Sequence, residues 1–198
     1  MGKVVKFPIQ TPEKFGPERV RVKKPGVVEK HGQLNLFAAG KVVRLHKLSE
    51  FDEALLLDDQ GEKASAIKLY LRAIENGDAL GDAYCNLGII EWQQGHQVKA
   101  VDYFTLALQH DPRHFEAHYN LANLYGELGN FPLAKAHYRI SIELEPSFPN
   151  SHFNLALTFA MNKEFEEAVK CLMRYRELSS PADHQLADDL ILKLSSAR

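Results

Sequence analysis

Three asparagines recur at a fixed spacing and carry the clearest binding chemistry in this sequence. Asn86, Asn120 and Asn154 lie 34 residues apart, and each directly precedes a leucine. A side-chain amide both donates and accepts hydrogen bonds, so it matches the N–H and C=O groups of a peptide backbone. Because a buried amide without partners costs about 1–3 kcal/mol, an apolar setting is unfavourable. The spacing indicates a row of amides suited to an extended peptide; bonding between neighbouring repeats is the alternative.

The same period organises the rest of the chain. Alanines recur 13 residues beyond each leucine of the period, and glycines recur at the midpoints of the first three units: Leu87, Leu121, Leu155; Ala100, Ala134, Ala168; Gly61, Gly95, Gly129. Apolar residues within each unit follow helical spacing, and the midpoint glycine interrupts it. Each unit is therefore predicted to be a helix–turn–helix hairpin, and stacked hairpins bury a continuous core.

This pattern resembles the tetratricopeptide repeat (TPR), with copies at about 47–80, 81–114, 115–148 and 149–182. The resemblance implies an all-α, right-handed superhelix in which the first helix of each hairpin lines a concave groove. Segments 84–88 and 118–122 are most similar to the TPR region of O-GlcNAc transferases, whose asparagine ladder holds peptides. No glycosyltransferase domain follows here, so the resemblance implies the binding mode alone.

Charge divides the sequence into two parts. Residues 1–46 hold ten Lys/Arg and three Glu, whereas residues 47–198 hold 14 Lys/Arg and 23 Asp/Glu. We interpret residues 1–46 as a basic, poorly ordered arm with several prolines and glycines. Residues 47–180 form the four repeats, and residues 181–198 form a helix that caps the stack. The opposite charges predict that the arm contacts the groove.

The groove needs more than its amides to bind a peptide. Three hydrogen-bonding sites contribute about 1.5–4.5 kcal/mol, whereas micromolar affinity needs about 8 kcal/mol. Further groove candidates, chosen by their helical position, are Asn123, Ile89, Trp92, Tyr119 and Phe153. TPR proteins that bind chaperone tails use Lys and Arg at places where this chain has Asn, Glu and apolar residues. An acidic rim favours basic or neutral peptides.

Enzyme chemistry finds little support in the sequence. Phosphate-binding loops, zinc signatures and nucleophile elbows are absent, and no cofactor is predicted. His114 and His118 could share a helix face, but no third metal ligand has a natural place beside them. The adjacent carboxylates of Asp58 and Asp59 are expected to be solvated surface. We therefore expect a non-catalytic protein without a metal site.

A second motif lies in the arm. The stretch Gln33, Leu34, Asn35, Leu36 and Phe37 resembles the short peptide by which bacterial replication and repair proteins dock on the sliding clamp. An apolar strip that folds onto the first repeat is the alternative interpretation. With the basic arm, this motif supports a secondary hypothesis, namely a factor associated with nucleic acid or with replication and repair.

The sequence thus predicts an adaptor that binds an extended segment of another protein in its concave groove. No segment has the length and apolar character of a membrane span, and the start lacks the pattern of a secretory signal. The two cysteines, Cys85 and Cys171, fall within helical patterns and are expected to be reduced. A cytoplasmic location and no membrane partner are therefore expected.

Overall fold

A computed structural model describes residues 48–196, and the regular elements of this range are all helical. They comprise four hairpins, a short 3-10 helix and a final α-helix: α1 Glu50–Asp59, α2 Lys63–Glu75, α3 Leu80–Gln93, α4 Gln97–His110, α5 Phe115–Glu127, α6 Phe131–Leu144, α7 Pro149–Met161, α8 Phe165–Leu178, the 3-10 helix Pro181–Asp183 and α9 His184–Ser195. The predicted all-α fold of four hairpins and a final helix is confirmed.

Each hairpin packs on the next in chain order. The two helices of a hairpin contact each other, and α2, α4 and α6 each contact the first helix of the following hairpin. Helix α9 packs against α8 at the end of the stack. Buried apolar residues form three clusters along the described repeats, and Tyr125 packs against two of them. The arm of residues 1–46 and its motif at 33–37 lie outside the described residues.

The helices α3, α5 and α7 form the inner layer of this stack. Helix α3 approaches α5, and α5 approaches α7, although an even-numbered helix separates them in the chain. Curvature of a stack brings together the elements on its inside. The first helix of each hairpin therefore lies on the concave side, where the sequence places the three asparagines.

Hairpin turns use the left-handed backbone conformation. Gly61, Gly95 and Gly129 have φ angles of 83°, 83° and 74°, which glycine adopts without steric cost. In the fourth hairpin Lys163 takes the corresponding place with a φ of 63°. A side chain in this region of backbone space is strained. The fourth turn therefore keeps the geometry of the others without their glycine.

The two ends of the stack begin their helices differently. Ser49 caps α1, because its hydroxyl accepts a hydrogen bond from the backbone N–H of Asp52 at 3.1 Å. At the other end helical structure begins at Pro181 with a 3-10 turn, and α9 begins at His184. Ser180 does not cap the backbone there; its hydroxyl donates to the carboxylate of Asp183 instead.

One predicted surface residue is buried. Asp58 is only 3% exposed, whereas its neighbour Asp59 is exposed. Adjacent residues on a helix are turned by about 100° from each other, so one of the pair faces inward. The expectation of solvated surface is therefore wrong for Asp58, which lies at the same repeat position as Trp92.

The small residue that follows the repeated leucine, Gly88 in the second hairpin, explains how closely the two helices of a hairpin approach. A Cβ atom added to Gly88 would lie 2.7 Å from Cε1 of Phe104 in the partner helix α4. Gly126, also helical, has nothing within 4 Å of the place where its Cβ would lie. Gly88 is therefore required by packing, and Gly126 is not.

We expect Gly88→Ala to lower the free energy of unfolding by about 1–3 kcal/mol, because the new methyl overpacks the ring of Phe104. Gly126→Ala is the matched control. It should raise that free energy by about 0.5–1 kcal/mol, because alanine favours the helix. Urea unfolding followed by circular dichroism measures both. Equal losses in the two variants would contradict the close approach at Gly88.

Candidate functional site

The three asparagines lie on successive inner helices, α3, α5 and α7. The side chains of Asn86, Asn120 and Asn154 have no exposed surface. Each amide must therefore find its hydrogen bonds inside the protein or leave polar atoms unpaired. Their contacts differ from one repeat to the next, although their repeat position is the same.

Asn154 is bonded to the preceding repeat. Its Nδ2 donates to the hydroxyl of Tyr119 at 3.0 Å and to Oδ1 of Asn123 at 2.8 Å. The hydroxyl of Tyr138 donates to the same Oδ1 of Asn123. This buried network joins α5, α6 and α7. Both hydrogens of the Asn154 nitrogen have acceptors in it, so this nitrogen serves the scaffold.

Asn120 makes a weaker version of the same contact. Its Nδ2 lies 3.7 Å from Sγ of Cys85, which belongs to the preceding repeat. Sulfur is a weak acceptor, so this bond compensates less of the cost of burying the amide. Burial raises the pKa of the Cys85 thiol well above its usual value, against a lowering by the Asn120 amide. Cys85 is thus a neutral core thiol.

The repeat period explains this difference. The acceptors of Asn154 lie 35 and 31 residues before it, and the acceptor of Asn120 lies 35 residues before it. The equivalent positions for Asn86 hold Phe51 and Leu55, which offer no side-chain acceptor. Neither polar atom of the Asn86 amide has a hydrogen-bond partner within residues 48–196. Within residues 48–196, the side-chain acceptors one repeat earlier are thus two oxygens for Asn154, one sulfur for Asn120 and none for Asn86.

The aromatic and aliphatic groove candidates also pack into the scaffold. Ile89 and Tyr119 are fully buried and Phe153 nearly so. Tyr119 contacts Tyr138 and Phe148 edge to face, and Phe153 lies 4.8 Å from Tyr175 between ring centroids. These side chains stabilise the stack at the places where the sequence predicted contact with a ligand.

Trp92 is the one candidate of this set with partial exposure. It lies near the end of α3, and its indole meets the ring of Phe104 edge to face at 6.5 Å. Its Nε1 donates to Oε2 of Glu127 in the next repeat at 2.9 Å. Burial raises the pKa of Glu127, and the hydrogen bond from the indole lowers it in part. An aromatic ring and a carboxylate thus meet at the edge of the inner layer.

His114 connects two repeats through charge. Its Nε2 lies 2.9 Å from the carboxylate of Asp82, and its Nδ1 lies 3.2 Å from that of Glu116. Burial lowers the pKa of His114, but the two carboxylates outweigh burial and raise it to about 9. The raised pKa favours a positively charged ring at neutral pH, whereas the backbone N–H of Ala117, 3.2 Å from Nδ1, is accepted by the neutral ring.

His118 forms a second histidine contact, of opposite character. Its Nδ1 lies 2.9 Å from Nδ1 of His137, and its Nε2 lies 3.3 Å from the carbonyl of Pro112. Burial lowers the pKa of both rings, that of His137 to about 4 with a further lowering from His118. Neutral rings can share one hydrogen between them. Across residues 48–196 no group of three or more His, Cys, Asp or Glu is placed to hold a metal ion.

Sequence reasoning missed the acceptors and found the donors. The 34-residue period identified the three amides, but Cys85, Asn123 and Tyr138 were not considered as their partners or linked to them. The sequence does contain a signal for these partners, namely the residues 35 and 31 places before each asparagine. Both can accept a hydrogen bond for Asn154, only the first can for Asn120, and neither can for Asn86. Comparing these offsets predicts which amide the scaffold leaves unpaired.

A curved stack of helical hairpins whose inner helices bond at a fixed sequence offset defines a helical repeat protein. Two models of the tetratricopeptide repeat family match the chain, one over residues 51–115 and one over residues 115–148. Residues 51–148 are therefore tetratricopeptide repeats. A comparison with curated proteins gives no match. In the described part of the chain, no helix is both long and apolar enough to pass through a bilayer.

Solved TPR structures share this fold. The first TPR domain of Spaghetti (RPAP3), bound to the HSP90 peptide SRMEEVD, is 23% identical; the match covers 59% of this chain and 91% of that one, with a TM-score of 0.55. MamA from AMB-1 is 17% identical, with 74% and 79% coverage and a TM-score of 0.62. YrrB, described as a TPR protein with an unusual peptide-binding site, is 18% identical, with 71% coverage of each chain and a TM-score of 0.58. At these identities the likeness concerns the fold.

The amide contacts predict opposite effects for two equivalent substitutions. Asn154→Leu removes donors from a buried network, so we expect the free energy of unfolding to fall by about 1–3 kcal/mol. Asn86→Leu removes an unpaired amide, so we expect that free energy to stay the same or rise by about 1 kcal/mol. Urea unfolding measures both. A loss for Asn86→Leu as large as that for Asn154→Leu would show that the Asn86 amide is part of the scaffold.

Proposed function

We propose that this TPR stack is an interaction module that binds an extended segment of another protein along its inner face. The observation that carries the proposal is the amide of Asn86, which is fully buried and has no hydrogen-bond partner in the described residues. A protein that leaves such a group unpaired pays a stability cost, and a ligand that pairs it recovers that cost. The module acts by binding rather than by catalysis.

A peptide backbone has the chemistry that this amide requires. The Asn86 nitrogen can donate to a ligand carbonyl, and its oxygen can accept from a ligand N–H, without regard to the ligand's side chains. Two such bonds contribute about 1–3 kcal/mol, whereas micromolar binding needs about 8 kcal/mol. Apolar contacts and charge must supply the rest. This amide therefore fixes the position of the ligand more than it sets the affinity.

The proposal differs from a uniform asparagine ladder. The peptide-holding mode of O-GlcNAc-transferase-type repeats requires amides that turn to the ligand, and the nitrogen of Asn154 donates to Tyr119 and Asn123 instead. We therefore place the main backbone contact at Asn86. The ligand is expected to lie across the first half of the stack.

Charge selects the class of ligand. Residues 48–196 hold 23 Asp/Glu and 12 Lys/Arg, so the body repels acidic segments. The HSP90 peptide in the Spaghetti structure, SRMEEVD, contains several acidic residues. Here the positions that hold Lys and Arg in chaperone-tail-binding TPR proteins include Asn86, Glu116 and Asn120. A neutral or basic segment of a partner protein fits this surface better.

The inner face must open before a ligand can reach it. Asn86, Asn120 and Ile89 have no exposed surface in the intact chain. The predicted contact between the basic arm and the groove falls outside the described residues and stays a prediction. It would make the arm an intramolecular competitor of the ligand, because both are attracted by the same acidic surface. The secondary hypothesis of a nucleic-acid or sliding-clamp partner also depends on the arm, which lies outside the described residues.

Panning a phage-displayed library of random 12-residue peptides against the full chain tests the proposal. Selected peptides are synthesised with a fluorescein label, and their Kd is measured by fluorescence anisotropy. We expect Asn86→Leu to raise the Kd about tenfold, which corresponds to about 1.4 kcal/mol. Asn162→Leu, which alters an exposed amide in the turn after α7, is the control and should leave the Kd unchanged.

Two results would overturn the proposal. One is the absence of any enriched peptide, both for the full chain and for residues 47–198 without the arm. The other is equal affinity of a selected peptide for the parent protein and Asn86→Leu. A gain in affinity on removing residues 1–46 would identify the arm as a competitor for the same face.

A further inference from the structure

A row of equivalent positions crosses the ends of the inner helices. Asp58, Trp92, Gly126 and Ala160 follow each other at 34-residue spacing on α1, α3, α5 and α7. Trp92 is the only large side chain among them and the only tryptophan in the protein. Its immediate neighbour in the row is a glycine. The row therefore has one bulky ring, followed one repeat later by a position without a side chain, which we call the gap.

The gap is open in the structure. Apart from the backbone of its own helix and its chain neighbours, a Cβ atom at Gly126 would meet no atom of the described residues within 4 Å, so there is room at this position of the row. Trp92 is half-buried and is held from two sides, by the ring of Phe104 and by the carboxylate of Glu127. The indole is thus fixed in orientation without being fully covered. A fixed, partly covered aromatic ring next to open space is a contact surface for a ligand side chain.

The carboxylate of Glu127 gives the surface around Trp92 its negative charge. No Lys or Arg within residues 48–196 forms an ion pair with Glu127, whose Oε2 accepts from the indole. The nearby Glu91 is different, because its carboxylate pairs with His96 at 2.6 Å and with Lys99 at 3.8 Å. Glu127 therefore brings an uncompensated negative charge to the ring of Trp92.

The geometry points to a subsite for a basic side chain, lysine or arginine, formed by the indole face of Trp92, the carboxylate of Glu127 and the gap at Gly126. A hydrogen bond from Nε1 places the carboxylate at the edge of the ring, and the side chain keeps part of its surface exposed. A cation over that face gains from the ring quadrupole and from the adjacent negative charge. This inference rests on the proposed peptide binding and names the side chain that one ligand position presents.

A structural tie between two repeats is the competing explanation of the Trp92–Glu127 contact. Glu127→Gln separates the two roles, because the glutamine oxygen still accepts from the indole but the charge is gone. A structural role predicts that the variant behaves like the parent protein in binding. A basic-side-chain subsite predicts weaker binding of cationic peptides with unchanged stability.

Tryptophan fluorescence of the full chain provides the test, since Trp92 is the sole reporter. Three capped 12-residue peptides are titrated, which alternate alanine with lysine, serine or glutamate. We expect the lysine peptide to change the emission of Trp92 and the glutamate peptide to leave it unchanged at equal concentration. Glu127→Gln should weaken binding of the lysine peptide about fivefold. Asp102→Asn, on the outer helix α4, removes an equal charge away from the site and should have less than a twofold effect.

Each other outcome overturns the inference. Equal affinity of the parent and Glu127→Gln assigns the contact to structure, and equal losses in Glu127→Gln and Asp102→Asn assign binding to the general acidic field. Binding of the lysine peptide without a change in Trp92 emission places the basic side chain elsewhere. In those cases peptides selected from the random library still bind if the proposed function holds, so the two failures are distinguishable.

Discussion

The contact between equivalent positions of successive repeats is the constraint on which this structure depends. In this stack the amide nitrogen of Asn154 lies against side chains 35 and 31 positions earlier in the chain, and that of Asn120 lies against one 35 positions earlier. The identity of those earlier residues decides what a buried amide does. Where they are Tyr119 and Asn123 the amide joins two repeats, and where they are Phe51 and Leu55 it is left unpaired. Stability and binding capacity therefore compete for the same side chains.

This competition changes along the molecule. The third and fourth repeats share a buried polar network around Asn123, whereas the first and second meet mainly through apolar groups. Acidic side chains at the ends of the inner helices also differ in their partners. His114 lies against the carboxylate of Asp82, whereas Glu127 has no cationic partner in the described part of the chain. Position and charge thus both distinguish the first half of the inner face from the second.

Much of the fold follows from the sequence alone. The 34-residue period predicted the hairpins and the turns at Gly61, Gly95 and Gly129, because these features need only local spacing and a glycine at the turn. The burial of Asp58 was predicted wrongly, since it depends on which side of a helix meets its neighbour. The partners of the asparagines were missed for the same reason, as each lies a full repeat away from its donor.

Nuclear magnetic resonance of the side-chain amides can separate the role of Asn86 from that of Asn154. The side-chain nitrogen of Asn154 donates to Tyr119 and Asn123, whereas neither polar atom of the Asn86 amide has a partner within residues 48–196. In the free protein we expect slower hydrogen exchange at Nδ2 of Asn154 than at Nδ2 of Asn86. On adding a peptide selected from the random library, the Asn86 resonance should shift and its exchange should slow, with little change at Asn154. Equal protection of both amides in the free protein, or a bound peptide that leaves Asn86 unchanged, would contradict the account.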